Sequence, residues 1–342
     1  MPNRSRLLRS LAAFLLVIAG ISILVFGIPG LITELEPEIP FEKVGELSPG
    51  RPGFPKIESH FPIRKIDRFA VSTGEERPFL VDVAYYRNRT NQPRQALIFL
   101  PAELTGNSPG AVASDLNSLC WQAWLDASQV LIDPGSSNKL FMSWWDNAQR
   151  IELLIGAKTW LDAPVGEAFD HRHRDFWRQV SGGFGQRIEP SKQLAAWFLS
   201  DAEQSLQTIE KTVDQTSDLF FAVTIDDLAR LSEMRSLSGK PAPFETRVFR
   251  AEENIHRLIS SVNRWAREKG NGSYLVQHLG NSGIRVWRIT NVEGERTLLA
   301  RLLPFTSSLA KPLENLELVH RSDWSAYLSI YRLHSIQTAA VE

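Results

Sequence analysis

Cysteine is almost missing from this 342-residue sequence, which holds Cys120 alone. One thiol cannot close an internal disulfide, build a Cys-rich zinc site, or supply the Cys-x-x-Cys-His that attaches a c-type haem. A surplus of one charge is missing too: 38 lysines and arginines face 39 acids, for a net charge of −1. That balance argues against nucleic acid as a partner, because phosphate binding needs a basic excess. The chain also lacks a nucleophile elbow, a His-Glu-x-x-His pair and a phosphate loop. Ser181-Gly-Gly-Phe-Gly185 has no Gly-Lys-Ser/Thr ending and follows no strand directly, so it reads as a turn. No motif implies a cofactor, and no internal repeat appears. A Ser, His and Asp triad scattered along the chain would leave no local mark. The missing motifs therefore lean toward a binding or accessory role over catalysis.

What is present is ordinary folded composition, with 43% apolar and 23% charged residues, in a length that suits one large domain or two small ones. Ten tryptophans exceed average usage and read as core and contact area, or as a binding surface.

Residues 1–10 form a basic tail carrying Arg4, Arg6 and Arg9, followed by an apolar run over 11–32. Twenty-two helical residues span about 33 Å, against a hydrocarbon core of about 30 Å. The run holds fourteen Leu, Ile, Val or Phe residues, which outweigh Ser22 and the late Pro29. A cleaved secretory signal is the rival reading; it wants a shorter apolar region and a small-x-small site, which residues 27–33 supply poorly. The expectation is an uncleaved single-pass anchor in the inner membrane. The arginines keep the N-terminus cytoplasmic, so the rest lies outside, in a bacterium in the periplasm. Residues 33–64, with prolines at 37, 40, 49, 52, 55 and 62, read as a semi-rigid spacer.

Residues 65–335 read as one α/β domain, and 336–342 as a tail. Phe69–Ser72, Phe79–Tyr86 and Gln95–Leu100 have strand composition. Ser114 looks like the cap of a helix with Leu116, Leu119, Cys120, Trp124 and Ala127 on its apolar face, where Cys120 is a buried inert thiol. Leu140–Trp145 is a buried strand, and Asp146 or Asn147 caps the helix after it. Residues 169–178 read as an irregular polar loop. A helix capped by Ser191 runs to about Val213, and Asp218–Ile225 is a further buried strand. Asp226-Asp227 could be paired carboxylates at a strand end, but two acids at a helix start also suit the helix dipole. Ala251–Lys269 is a second amphipathic helix. Tyr274–Leu279 with Ile284–Ile289, and Leu316–His320 with Ala326–Leu333, read as hairpins; Thr297–Leu303 is helix or strand. The expected architecture is one N-terminal transmembrane helix, then a mixed, largely parallel sheet with helices on both faces and a C-terminal β-hairpin.

Ligands of such sheets gather at the carboxyl ends of strands. Trp144, Trp145, Asp146, Asn147 and Arg150 stand at one such end and are the candidate binding residues. His171 and His173, two apart in an extended segment, would face one side and with Asp170 or Asp175 could bind a metal; their arginine neighbours argue for a solvated loop, or an anion or partner contact.

Two resemblances attach to Ser143-Trp-Trp-Asp-Asn-Ala-Gln-Arg-Ile151. Trp144-Trp145-Asp146 resembles the Trp-Trp-Asp motif of oligosaccharyltransferase catalytic subunits, where it opens an extracytoplasmic α/β domain and holds an acceptor hydroxyl. That family has many membrane spans and acidic metal ligands in their loops, and this chain matches neither. The resemblance implies a peptide-binding corner with Asp146 between two tryptophan walls, or at most a membrane-anchored transferase or hydrolase. The whole chain, through its N-terminal anchor, proline spacer and the segment Cys120 to Phe169, resembles the HaoB family, membrane-anchored proteins encoded beside hydroxylamine oxidoreductase. That resemblance implies an accessory to hydroxylamine oxidation, assisting or tethering a periplasmic multihaem oxidoreductase.

Overall fold

Runs of apolar and aromatic residues, buried on both faces in the middle strands, set the first sheet in the computed structural model, which describes residues 40–50, 57–72, 79–99, 111–132, 138–214, 217–250, 254–279 and 283–334. Strands β1 (Phe41–Leu47), β2 (Lys65–Val71), β3 (Phe79–Arg87) and β4 (Pro93–Ile98) form an antiparallel meander in that order. β1 lies inside the stretch expected to be a spacer. Pro40 and Pro49 flank it, and it pairs on one side only, with a bulge between Lys43 and Gly45, so no proline interrupts a ladder. The anchor expected over 11–32 lies outside the described residues. Among those described, no helix is long and apolar enough to cross a membrane.

Helix α1 (Ala111–Leu131) starts three residues before Ser114; it buries Cys120, Trp124 and Ala127 but leaves Leu119 exposed. β5 (Lys139–Met142) stops before the tryptophan pair, and α2 (Trp145–Ile155) begins at the second indole. The α2 cap position is Trp144, not Asp146 or Asn147, and Gly156 closes the helix at φ 69°. Two of its last carbonyls are taken by the chain before β2, where His60 and Phe61 N–H donate to Leu154 and Leu153. β6 (Lys158–Thr159) follows. Residues expected to be a loop form α3 (His171–Ser181), whose start is capped by the Asp170 side chain accepting from the Arg172 N–H.

The long helix expected from Ser191 to Val213 is two, α4 (Glu189–Phe198) and α5 (Ala202–Thr212). Its start lies before Ser191, with Pro190 in the first turn, and Asp201 breaks it by capping the second helix. β7 (Asp218–Thr224) runs into a 3-10 turn over Ile225–Arg230 and α6 (Leu231–Ser238). β8 (Phe244–Phe249), α7 (Ile255–Ala266), β9 (Tyr274–His278) and β10 (Ile284–Ile289) make a lobe with an antiparallel sheet ordered β8-β10-β9. Short helices α8 (Val292–Glu295), α9 (Leu298–Leu302) and α10 (Thr306–Ala310) settle the 297–303 segment as helical. The hairpin β11 (Leu316–Arg321) and β12 (Leu328–Leu333) ends the fold.

The central sheet is ordered β11-β12-β7-β5-β6 and is mixed. Parallel pairing among the described strands is confined to β7-β5-β6, which corrects the largely parallel sheet expected. β7 is buried along nearly its whole length, as suits a strand covered on both faces. One core joins the first sheet, α1, α2 and the central sheet, while Phe249, Leu258, Val262, Trp265 and Val286 form a small separate core under α7.

Candidate functional site

β5 and β7 are parallel neighbours, with Met142 opposite Phe221, so their carboxyl ends deliver two chain segments to the same place. One is Ser143–Asn147 at the start of α2; the other is Thr224–Asp227. All five candidate binding residues meet there, and all are buried: Trp144 and Trp145 are each 1% exposed, Asp146 and Arg150 3%, and Asn147 0%.

Glu233 on α6 is the hub. Its Oε2 accepts from both indoles, Trp144 Nε1 at 3.0 Å and Trp145 Nε1 at 2.9 Å. Its Oε1 accepts from Arg230 Nη1 at 3.1 Å, and Arg230 Nη2 reaches Asp146 Oδ2 at 3.4 Å. The Arg230 guanidinium lies over the rings of Trp145 at 5.1 Å and Trp177 at 4.5 Å. On the other side, Arg150 donates to Asn147 Oδ1 at 2.6 Å and to the Leu97 carbonyl at 2.9 Å, lies 3.6 Å from Asp146, and covers the Phe99 ring at 4.4 Å. The Leu97 bond ties the first sheet to α2.

The two aspartates after β7 have separate tasks. Asp227 accepts from Asn147 Nδ2 at 3.0 and 3.2 Å and from the Thr224 N–H at 2.7 Å, closing a capping box with Thr224. Asp226 accepts from Tyr327 of the last hairpin at 2.8 Å and from Gln277 of β9 at 3.0 Å. The choice between paired carboxylates and dipole partners therefore resolves into cap and cross-link.

Burial governs the electrostatics. It pushes the Asp227 carboxyl well above the ordinary range, with the nearby Asp146 adding to the shift. Burial also raises Glu233, against the opposing pull of Arg230 and the two indole N–H groups. For Arg230 burial works against the charge, but Glu233 and Asp146 outweigh it and hold the guanidinium protonated. Asp146 Oδ1 and Ser143 Oγ are buried with no hydrogen-bond partner among the described residues.

This arrangement corrects the peptide-binding corner. The indoles are not walls of an open cleft: their faces are packed, their N–H groups are spent on Glu233, and Asp146 is covered. Glu233, Arg230 and Thr224 were not picked out as site residues from the sequence. The Arg230/Glu233 spacing of three was the available signal, since such pairs share a helix face.

His171 and His173 lie on α3, where residues two apart point to different sides, so the extended-segment geometry behind a metal pair is absent. His171 Nδ1 lies 3.2 Å from Asp170. No cluster of three His, Cys, Asp or Glu residues suited to a metal ion occurs among the described residues. Burial pushes the Cys120 thiol up to about 12, which fits an inert core residue.

No curated protein matches the chain. Among solved structures, it is similar to the C-terminal domain of PglB from C. jejuni at 9% identity and a TM-score of 0.36, over 62% of this chain and 99% of that one, a likeness too slight to carry an argument. The family described as HaoA-associated protein HaoB matches residues 5–333, nearly the full length, and the chain belongs to that family.

Proposed function

We propose that this protein is a membrane-anchored, extracytoplasmic accessory of hydroxylamine oxidation that acts by binding HaoA, the multihaem hydroxylamine oxidoreductase, and holding it at the membrane. The observation that carries the reading is the family match over residues 5–333. The apolar run over 11–32 behind three arginines supports the anchor. In this reading the buried corner of Trp144, Trp145, Asp146, Asn147 and Arg150 does not touch the partner. It fixes Arg230, partly exposed between the Trp145 and Trp177 rings, and so stiffens an aromatic and cationic rim of the kind enriched at protein interfaces.

The test is affinity capture of the tagged full-length chain from detergent-solubilised membranes of a cell that makes HaoA. Recovery of HaoA, and its shift to the soluble fraction when residues 11–32 are deleted, is the expected result. Failure to recover HaoA, or a mature chain found free in solution with its N-terminal segment removed, defeats the proposal.

A further inference from the structure

We propose that the cavity between β4, α2 and the C-terminal end of α3 binds a compact organic cation, a primary ammonium or guanidinium group. The cavity is about 230 Å³ and is walled by Tyr85, Arg94, Gln95, Gln149, Glu152 and Asp162. Gln149 and Glu152 come from one face of α2, three residues apart.

The hydrogen-bond inventory is lopsided. Gln149 is 4% exposed; its Nε2 donates to the Ser181 carbonyl at 2.9 Å, and its Oε1 has no partner among the described residues. The Gln95 Oε1 is in the same position. Two buried acceptors in one wall want donors, since a buried acceptor left unpaired is destabilising. Charge points the same way. Arg94 is the one cation in the lining, and its Nε is engaged with Glu152 at 3.1 Å, where Tyr86 also donates at 2.8 Å. Asp162 stands 3.9 Å from Arg94 with its side chain 62% exposed, and has no other ion-pair partner among the described residues. The lining therefore holds two carboxylates against one guanidinium. A ligand that brings N–H donors and one positive charge corrects both deficits, and an anion worsens both. The same group could arrive as a lysine or arginine side chain of a partner protein or as a free small amine.

The experiment is calorimetric titration of the detergent-solubilised full-length chain with n-butylammonium chloride, with ethylguanidinium chloride, and with sodium butyrate at matched ionic strength. Saturable binding of at least one cation is expected, with none of butyrate. Asp162→Asn lies at the rim, 62% exposed at its side chain, and should leave folding intact while weakening cation binding about five-fold; Gln149→Leu should weaken it by a similar factor. Absence of saturable cation binding, equal binding of butyrate, or an unchanged Asp162→Asn overturns the proposal. Repeating HaoA capture in excess butylammonium separates the sources: loss of capture assigns the site to a partner side chain, and undiminished capture assigns it to a free amine. The titration needs no HaoA, so it stands or falls separately from the proposed function.

Discussion

Replacing Glu233 with alanine removes the acceptor that two indoles and a guanidinium share. The Trp144 and Trp145 N–H groups, at 3.0 and 2.9 Å, lose a partner that no neighbour replaces. A stranded buried donor costs about 1–3 kcal/mol, and breaking a buried ion pair about 3–5 kcal/mol. These do not add, because all three bonds end on one carboxylate and because Arg230 keeps Asp146 at 3.4 Å and is 16% exposed at its side chain. The expected loss is therefore about 3–5 kcal/mol, or a melting temperature lower by about 4–9 °C. Urea unfolding followed by near-ultraviolet circular dichroism reads both the stability and the tryptophan environment. Glu233→Gln retains one oxygen for the indoles but turns an amide toward Arg230, and should fall between wild type and alanine. The decisive measurement is a double-mutant cycle with Arg230→Ala, for which a coupling of about 1–3 kcal/mol is expected. A Glu233→Ala loss below about 1 kcal/mol, or strictly additive single mutants, would refute the hub.

Because burial raises the Asp227 pKa, the folded chain holds that proton more tightly than the unfolded chain does. The stabilisation it gives is fully present below the ordinary carboxylate value of about 3.9 and is lost as pH rises toward the folded value. Asp227→Asn should flatten the fall in urea midpoint as pH rises above about 4 without abolishing it, since Glu233 titrates in the same sense; an unchanged slope counts against the assignment. Gly156→Ala meets both a φ of 69° and a Cβ position 2.2 Å from the His60 ring, while Gly239→Ala meets only a φ of 66° in open space. The first should cost about 1–3 kcal/mol and the second about 1 kcal/mol, and equal losses in thermal unfolding would show that His60 moves aside freely. Cys120 should resist iodoacetamide in the native chain and react fully in urea; fast native labelling would mean that α1 does not pack as described.

Where one periodicity dominates, the fold was legible from the residues alone. β3, β7 and both late hairpins carry β-branched and aromatic runs ended by turn residues, and α7 carries Leu258, Val262 and Trp265 at helical spacing. α3 was not legible, because its apolar stripe is little more than Phe176 and Val180 among charged residues. Its cap, Asp170, was weighed as a metal ligand instead. The break between α4 and α5 was hidden for the opposite reason: helical spacing continues through Leu206 and Ile209, while the Asp201 cap redirects the axis. The strand expected over Gln95–Leu100 falls at Pro93–Ile98, with Leu100 outside the described residues; what covers it is α2, and its ladder belongs to the antiparallel sheet. Strand direction depends on which distant segments meet, and periodicity carries none of that information.

The candidate site separates into a legible half and an illegible one along the same line. That Trp144 to Asn147 stand at a strand's carboxyl end follows from a local change of period. Whether that end is open depends on Glu233, 88 residues beyond Trp145, and a glutamate between Leu231 and Met234 gives no local sign of burial. Charge balance then explains why the corner closes. Gathered here are three buried carboxyls, Asp146, Asp227 and Glu233, with the buried guanidinium of Arg150 and the partly exposed one of Arg230. With all of them ionised the cluster holds one negative charge too many for a low-dielectric interior. Burial and the neighbouring Asp146 push the Asp227 carboxyl toward its neutral form, which offsets that excess. The remaining charges are spent on one another, Glu233 and Asp146 on Arg230 and Asp146 on Arg150. The contacts proposed for this protein therefore fall at the Arg230–Trp177 rim and in the acceptor-rich cavity behind α2.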